Sequence, residues 1–187
     1  MELKRRSSKY NRRQAAKMNS EYIEYCNSMR TPIVTTRFNN ESWNENELYR
    51  LKYPTIGCIY ATPEMNSERI RSDCILFVLE MNNEENKIMG IGMVRNHVII
   101  HKHRVYSNEN YNRYAYLGKH RIDRSAMNEE EEIVMRAFDA LCFKGARHMK
   151  RLQGIKAFPM DMLYKCKRIM DLVEFVRTMF KRRLETK

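Results

Sequence analysis

The chain has 187 residues, of which 43% are hydrophobic and 31% are charged, and its net charge is +12 at pH 7. This length and this apolar content predict one folded domain and exclude a disordered or low-complexity chain. The chain starts with a basic segment that has no apolar stretch, and no run approaches the roughly eighteen apolar residues of a membrane span. We therefore expect an intracellular protein with no membrane partner.

The positive charge is unevenly distributed. Residues 1–30 carry a net +5, residues 31–100 carry −2, residues 101–128 carry +4 and residues 129–187 carry +5. Cationic segments around a near-neutral middle attract polyanions, and nucleic acid is the partner that this pattern favours. An anionic membrane surface and an acidic protein are the other partners of this kind.

Cysteine and histidine patterns favour neither a disulfide scaffold nor a metal centre. The five cysteines are widely spaced, odd in number and contain no CxxC pair. His97, His101 and His103 share one face of a predicted strand, but no carboxylate stands at a supporting spacing and no HExxH pattern is present. Phosphate-binding glycine loops and hydrolase elbows are also missing. We expect no metal, no cofactor and no catalytic residue.

Residues 1–19 are basic and poor in apolar side chains, which predicts a flexible arm before a domain over 20–187. Ser20 is a candidate cap for a short helix. Further along, β-branched and apolar residues predict two strands, with a helix between them that ends at Pro54. These elements lie at 31–38 (strand), 41–53 (helix) and 55–63 (strand).

The clearest β signal lies at 74–94, where two apolar runs flank the polar loop NNEEN. This pattern predicts a β-hairpin in the middle of a sheet or in a barrel wall. Gly90 and Gly92 share one face of its second strand, which suggests a bulge, a bend or the close approach of another backbone. Residues 97–106 predict a further strand.

Two helices are predicted at the end of the chain, over about 128–183. Asn128 is a candidate N-cap, Glu131 stands three residues later as in a capping box, and apolar residues follow at helical spacing. Pro159 opens the last helix. The order of elements predicts the α+β class, with a small, curled, mostly antiparallel β-barrel over about 31–125 and flanking helices.

The segment 106–124, YSNENYNRYAYLGKHRIDR, combines four tyrosines and three asparagines with arginine and lysine. Single-stranded nucleic acids are bound by aromatic faces that stack on bases, by cations that contact phosphates and by amides that contact base edges. The alternative is an exposed sheet face with tyrosine hydroxyls in water. The candidate stacking residues are Tyr106, Tyr111, Tyr114 and Tyr116, and the candidate phosphate contacts are Arg113, Lys119, Arg121, Arg124, Arg147, Lys150 and Arg151.

Trp43 is the single tryptophan of the chain and lies in the polar stretch NNESWNENE. Core packing is the favoured interpretation of this side chain. The alternative is one wall of an aromatic cage around a methylated base or another cation. Both interpretations remain open at the level of sequence.

The strand IVTTRF, the helix with ESW and the hairpin ILFVLEMNNEENKIMGIGMV follow one another in an order that resembles the PUA-like superfamily, which includes the EVE, ASCH and YTH domains. The resemblance covers about 31–125 and implies a small β-barrel that binds RNA or DNA, often through a modified nucleotide. It makes Trp43 a match for a cage tryptophan, with only a tyrosine or Phe77 available as the second cage aromatic. NYNRYAYLG and RLQGI are also similar to segments of uncharacterised proteins of large DNA viruses.

The sequence therefore predicts a non-catalytic nucleic-acid-binding protein that prefers RNA or a modified nucleotide. One alternative is an ASCH-like nuclease without a recognisable motif. Another is a basic protein that coats or packages DNA.

Overall fold

The computed structural model of the protein describes residues 2–66, 70–100 and 102–185, and it describes side chains from residue 14 onward. This part of the chain forms five α-helices and eight β-strands. The helices are α1 (Glu2–Ser28), α2 (Asn40–Lys52), α3 (Glu129–Phe143), α4 (Met160–Lys167) and α5 (Leu172–Glu185). The strands are β1 (Ile33–Phe38), β2 (Cys58–Thr62), β3 (Ile75–Asn82), β4 (Lys87–Arg95), β5 (Ile99–Ile100), β6 (Tyr114–Gly118), β7 (His120–Asp123) and β8 (Lys156–Ala157).

The strands form two sheets, in the orders β7-β4-β3-β1-β8 and β2-β6-β5. Strands β1 and β3 are parallel, and the other neighbouring strands are antiparallel. The mixed α+β class is confirmed, but the two sheets do not close into the predicted barrel. Among the described residues, no edge strand of one sheet pairs with an edge strand of the other. The chain instead crosses between the sheets at Lys119, which separates β6 from β7.

The predicted hairpin at 74–94 is confirmed, because β3 and β4 pair antiparallel in the middle of the larger sheet. Both faces of β3 are buried. Phe77, Leu79 and Met81 belong to a core that includes residues of helices α3, α4 and α5. Leu76 and Val78 point to the opposite face, into a core shared with the smaller sheet. A sheet covered on both faces explains why the two arms are almost wholly apolar.

Helix α1 extends over Glu2–Ser28, where the sequence predicted a flexible arm and a short helix from Ser20. Residues of high helix propensity (Lys, Arg, Glu, Gln, Ala, Leu and Met) make up 15 of its 27 positions, so a basic composition does not prevent a helix. Near its end, Tyr22 and Tyr25 contact the ring of Tyr164 in α4, with ring centroids 5.3 and 5.5 Å apart.

The C-terminal region contains three helices where two were predicted. Asn128 and Glu131 form the predicted capping box of α3. The last predicted helix is divided into α4 and α5, because the Asp171 carboxylate accepts hydrogen bonds from the backbone N–H groups of Val173 and Glu174 and so starts a new helix.

The strand predicted at 97–106 is reduced to the two residues of β5 in the described part of this segment, which leaves out His101. The backbone N–H groups of Val105 and Tyr106 do not pair with a strand. They donate to the side-chain oxygen of Asn112, at 2.8 and 3.0 Å. The Asn112 side chain thus accepts the hydrogen bonds that a neighbouring strand would otherwise accept. A pattern of β-propensity does not reveal this replacement.

Candidate functional site

A charged network is buried between the two sheets. The Glu80 carboxylate accepts a hydrogen bond from the Tyr60 hydroxyl at 2.7 Å and three from the Arg121 guanidinium at 2.8–3.0 Å. Arg121 also donates to Asp123 at 2.7 Å. The Arg121 side chain is 8% exposed and that of Glu80 only 1%. Arg121 is therefore an internal ion-pair partner and does not offer a free guanidinium to a phosphate, which corrects the predicted role.

The two glycines of β4 make room for this network. A Cβ atom at Gly92 would stand 1.8 Å from the Tyr60 hydroxyl oxygen, and one at Gly90 would stand 2.7 Å from a Glu80 carboxylate oxygen. The pairing of β3 with β4 is irregular between Leu79 and Met81, so a bulge lies beside Gly90. The predicted bulge is confirmed, and so is the close approach of another backbone, because a Cβ at Gly90 would also stand 2.8 Å from the carbonyl oxygen of Ile122.

Trp43 packs in the core between the sheets and is 9% exposed. Its ring meets Phe38 edge to face at 5.3 Å between centroids. The guanidinium carbons of Arg50 and Arg121 lie 5.7 and 5.5 Å from the centroid of the Trp43 ring. Two protein cations already use the π-system that a cage would offer to a ligand. The structure favours the core-packing interpretation of Trp43.

Arg124 is a second predicted phosphate contact that the fold uses internally. Its side chain is 7% exposed and forms ion pairs with Glu132 at 2.7 Å and Asp139 at 2.8 Å. It also donates to the carbonyl oxygen of Ile88 at 2.9 Å. Its charge is therefore neutralised inside the protein, so it joins β4 to α3 and is not available to nucleic acid.

The four candidate tyrosines differ in accessibility. Tyr116 is 2% exposed and its hydroxyl accepts from the backbone N–H of Asn66, so it has no free face for a base. Tyr114 is half-buried beside the same core. Tyr106 is half-buried too; its hydroxyl accepts from Asn46, and burial raises its pKa well above the ordinary value. Tyr111 is 36% exposed and contacts Tyr106 edge to face.

Tyr106 and Tyr111 lie on a cleft of about 430 Å³, which we call the polar cleft. It opens where the parallel strands β1 and β3 end, a position at which side chains from neighbouring strands converge on a ligand in many α/β sheets. Amide, carboxylate and guanidinium groups share its walls with aromatic rings. Its defining residues are Arg37, Asn39, Glu45, Asn83, Tyr111 and Gln153.

Arg37 is the cation of the polar cleft. Its guanidinium donates to the carbonyl oxygens of Met149 at 2.7 Å and Gly154 at 3.0 Å and to the Thr35 hydroxyl at 2.7 Å. Burial lowers the pKa of Arg37 to about 10. A guanidinium has five N–H donors and three of them are used, with no carboxylate paired to Arg37 among the described residues. The remaining donors suit an acceptor on a ligand.

The amides of the polar cleft are only partly used by the protein. Asn83 donates to the carbonyl oxygen of Lys150 at 3.0 Å, while its own side-chain oxygen is buried and has no hydrogen-bond partner within the described residues. Gln153 is exposed on the same cleft. One Glu45 oxygen accepts from the backbone N–H of Ser107 at 2.8 Å. The polar cleft thus combines an amide oxygen without a partner with an exposed amide and a carboxylate, which are groups that can recognise a planar polar ligand.

The remaining predicted cations fall into three groups. Arg113 and Arg151 are exposed, and Lys150 donates to the Asn86 side chain at 2.8 Å; all three are close in sequence to residues of the polar cleft. Arg147 is exposed and pairs with Asp161 at 2.7 Å. Lys119 lies with Arg121 on a different cleft of about 530 Å³, which we call the basic cleft and define by Arg50, Lys119, Arg121, Asp123 and Arg183.

Sequence patterns did not point to Arg37, Asn39, Asn83, Gln153 or Arg50. One signal was present, because an Asn-Asn pair stands at the end of each parallel strand, at 39–40 and at 82–83. The two pairs lie side by side only because β1 and β3 are parallel, whereas the sequence predicted a mostly antiparallel sheet. Arg50 follows Trp43 and Asn46 at helical spacing, but nothing local shows that it contacts the tryptophan.

Comparison with protein-family models, with curated proteins and with solved structures finds no match to this chain. Within the described residues, no group of three or more His, Cys, Asp and Glu side chains is placed to hold a metal ion. None of the helices in the described part of the chain has the length and apolar composition needed to cross a bilayer.

Proposed function

We propose that the protein is a non-catalytic binder of single-stranded nucleic acid, with RNA preferred, and that it holds one base in the polar cleft. The observation that carries the proposal is the position of Tyr111. It is the most exposed of the four candidate tyrosines, and it stands on a cleft whose walls include the unpartnered side-chain oxygen of Asn83 and a guanidinium without a carboxylate.

Each wall of the polar cleft offers one component of base recognition. Tyr111 supplies an aromatic face, and base stacking on such a face contributes about 1–3 kcal/mol. The unpartnered oxygen of Asn83 would accept from a base N–H group after a small movement of that side chain, and the free donors of Arg37 suit a base carbonyl. Glu41 and Glu45 add negative charge to the cleft. Together these groups suit a neutral, hydrogen-bonding ring better than a phosphate.

The preference for RNA rests on hydroxyl and carboxylate groups at the same cleft. Ser42, Ser107 and Glu41 line it together with the amides, and such groups can bind the 2′-hydroxyl that distinguishes ribose from deoxyribose. Phosphates on either side of the bound nucleotide would meet Arg113, Lys150 and Arg151. These three cations would then contribute mainly to affinity, and the polar cleft would contribute mainly to selectivity.

The direct test compares two tyrosines of similar exposure. Tyr111→Ala should weaken the binding of a labelled single-stranded RNA by about 5- to 150-fold, the equivalent of about 1–3 kcal/mol of lost stacking. Tyr53 is 40% exposed at the end of α2, and Tyr53→Ala should leave the affinity unchanged. Fluorescence anisotropy with both variants measures the difference. Equal losses in the two variants, or no loss in Tyr111→Ala, would overturn the base site.

A binding panel separates this function from its alternatives. Single- and double-stranded RNA and DNA, methylated and unmethylated, are compared at two salt concentrations, and single-stranded RNA should bind most tightly with a clear salt dependence. Equal affinity for duplex DNA and single-stranded RNA would favour a coating or packaging protein. Cleavage of labelled RNA in the presence of divalent metal ions would favour an ASCH-like nuclease.

A further inference from the structure

The basic cleft lies at the other end of α2 from the polar cleft. Ser42 lines the polar cleft and Arg50 lines the basic cleft, and a separation of eight helical residues corresponds to about 12 Å along the axis. The basic cleft also takes walls from β7 and from the end of α5. It is therefore a separate surface, and the base site does not account for it.

Two of the four cations on the basic cleft already have carboxylate partners. Arg121 binds Glu80 and Asp123, as described above. Arg183 binds Glu131 through two hydrogen bonds of 2.6 and 2.7 Å and donates to the carbonyl oxygen of Ala126 at 3.1 Å. These pairs fix the shape of the cleft, because each joins two elements of the fold.

Arg50 and Lys119 are the two cations left over. Arg50 donates to the Asn46 side chain at 3.1 Å, and its guanidinium lies over the ring of Trp43. One of its terminal nitrogens is buried without a hydrogen-bond partner among the described residues, and no carboxylate there pairs with it. Lys119 is exposed and has no ion pair within the same part of the chain. The carboxylates around the cleft therefore leave these two charges uncompensated.

We propose that the basic cleft is a phosphate-binding site, in which Arg50 and Lys119 hold one phosphate group between them. A guanidinium matches the oxygen geometry of phosphate through paired N–H donors, and an ammonium adds a compact second charge. Trp43 holds the Arg50 plane in place, so little side-chain freedom is lost when the phosphate binds. A phosphate oxygen also gives the unpartnered Arg50 nitrogen an acceptor after a small movement of that side chain.

The phosphate belongs either to a nucleic-acid backbone or to a free phosphorylated small molecule. The first source would extend the proposed function, since one bound strand would then contact both ends of α2. The second source is independent of the proposed function. Either source presents a phosphate group to Arg50 and Lys119, so the test begins with inorganic phosphate.

The full chain, labelled with ¹⁵N, is titrated with inorganic phosphate and then with single-stranded RNA at constant ionic strength. Phosphate should shift the backbone amides of Gly57, Lys119 and His120 and the side-chain Nε–H of Arg50, and it should leave the side-chain amides of Asn83 and Gln153 in place. Arg50→Gln/Lys119→Gln should weaken phosphate binding at least tenfold. Lys144→Gln, which removes an exposed charge at the end of α3, should not change it.

The outcomes separate this site from the base site. If RNA displaces phosphate from the basic cleft, the natural ligand of the cleft is a backbone phosphate. The double variant should then reduce the slope of log K for RNA binding against log salt concentration by about 0.7 for each backbone phosphate that the protein no longer neutralises. RNA that leaves these resonances in place points to a free phosphorylated molecule. Phosphate binding without any nucleic-acid binding would keep this site and remove the proposed function. Phosphate that shifts no resonance of the basic cleft, or an equal effect of Lys144→Gln, overturns the site.

Discussion

The buried ion pairs of the fold and the clefts at the two ends of α2 use arginine side chains in different ways. Arg121 and Arg124 are buried and each is bound by two carboxylates. Arg37 and Arg50 are half-buried, and the oxygens that they bind belong to carbonyl, hydroxyl and amide groups. The first pair neutralises charge inside the fold, whereas the second pair keeps uncompensated charge beside a cavity. The partners of a guanidinium, more than its sequence neighbours, therefore distinguish an arginine that the fold neutralises from one that keeps an uncompensated charge.

The largest effect expected from this comparison is on stability, at the centre of the network. Glu80→Gln leaves the buried Arg121 with a single carboxylate, and removing one partner of a buried ion pair costs about 3–5 kcal/mol. Urea unfolding should show this loss in the free energy of unfolding. Glu47 is exposed on α2, and Glu47→Gln should stay within about 0.5 kcal/mol of the natural chain. A loss below about 1 kcal/mol for Glu80→Gln would mean that the network does not stabilise the fold.

A smaller effect is expected from the glycine that makes room for the network. Gly92→Ala puts a methyl group against the Tyr60 hydroxyl, and such overpacking costs about 1–3 kcal/mol. Tyr60→Phe removes that hydroxyl together with its hydrogen bond to Glu80. The double variant should therefore lose less stability than the sum of the two single variants, by about 1 kcal/mol or more. Unfolding of all four chains measures this coupling, and strict additivity would show that the two groups do not compete for space.

Local patterns predicted the elements that local interactions stabilise. The hairpin at 74–94, helix α2 and the capping box of Asn128 and Glu131 all depend on residues that are close in sequence. Helix α1 was missed over most of its length, whereas most of the strand predicted at 97–106 is not formed in the described part of that segment, and the reasons differ. Basic composition concealed a segment of strong helix formers, and the Asn112 side chain replaced a strand partner that the pattern could not exclude.

The candidate site was less predictable because it depends on long-range packing. Tyr111 and Tyr116 occur in the same aromatic segment, yet one lies on a cleft and the other between two sheets. Tyr116 and Ala115 are neighbours in β6 and therefore point to opposite faces of the smaller sheet. The pairing of β6 with β2 determines which of the two side chains points towards the larger sheet. Arg37 and Asn83 line the same cleft because β1 and β3 are parallel and end side by side. No spacing in the sequence specifies that pairing.

The smallest effect concerns the edge of the network and depends on pH. Partial burial works to raise the pKa of Asp123, but hydrogen bonds from Arg121 and Ser125 outweigh it and lower the pKa to about 2. A carboxyl group whose folded pKa is depressed stabilises the fold above its unfolded pKa of about 3.9, and this contribution is lost as the pH falls towards the folded value. Because the Asp123 side chain is 46% exposed, solvent screening keeps the effect at about 1 kcal/mol or less. Asp123→Asn should thus be less stable than the natural chain at pH 6, with the gap closing between about pH 4 and pH 2. Unfolding curves at several pH values measure the gap, and a gap that stays constant down to pH 2 would show that the carboxylate charge of Asp123 adds nothing to the network.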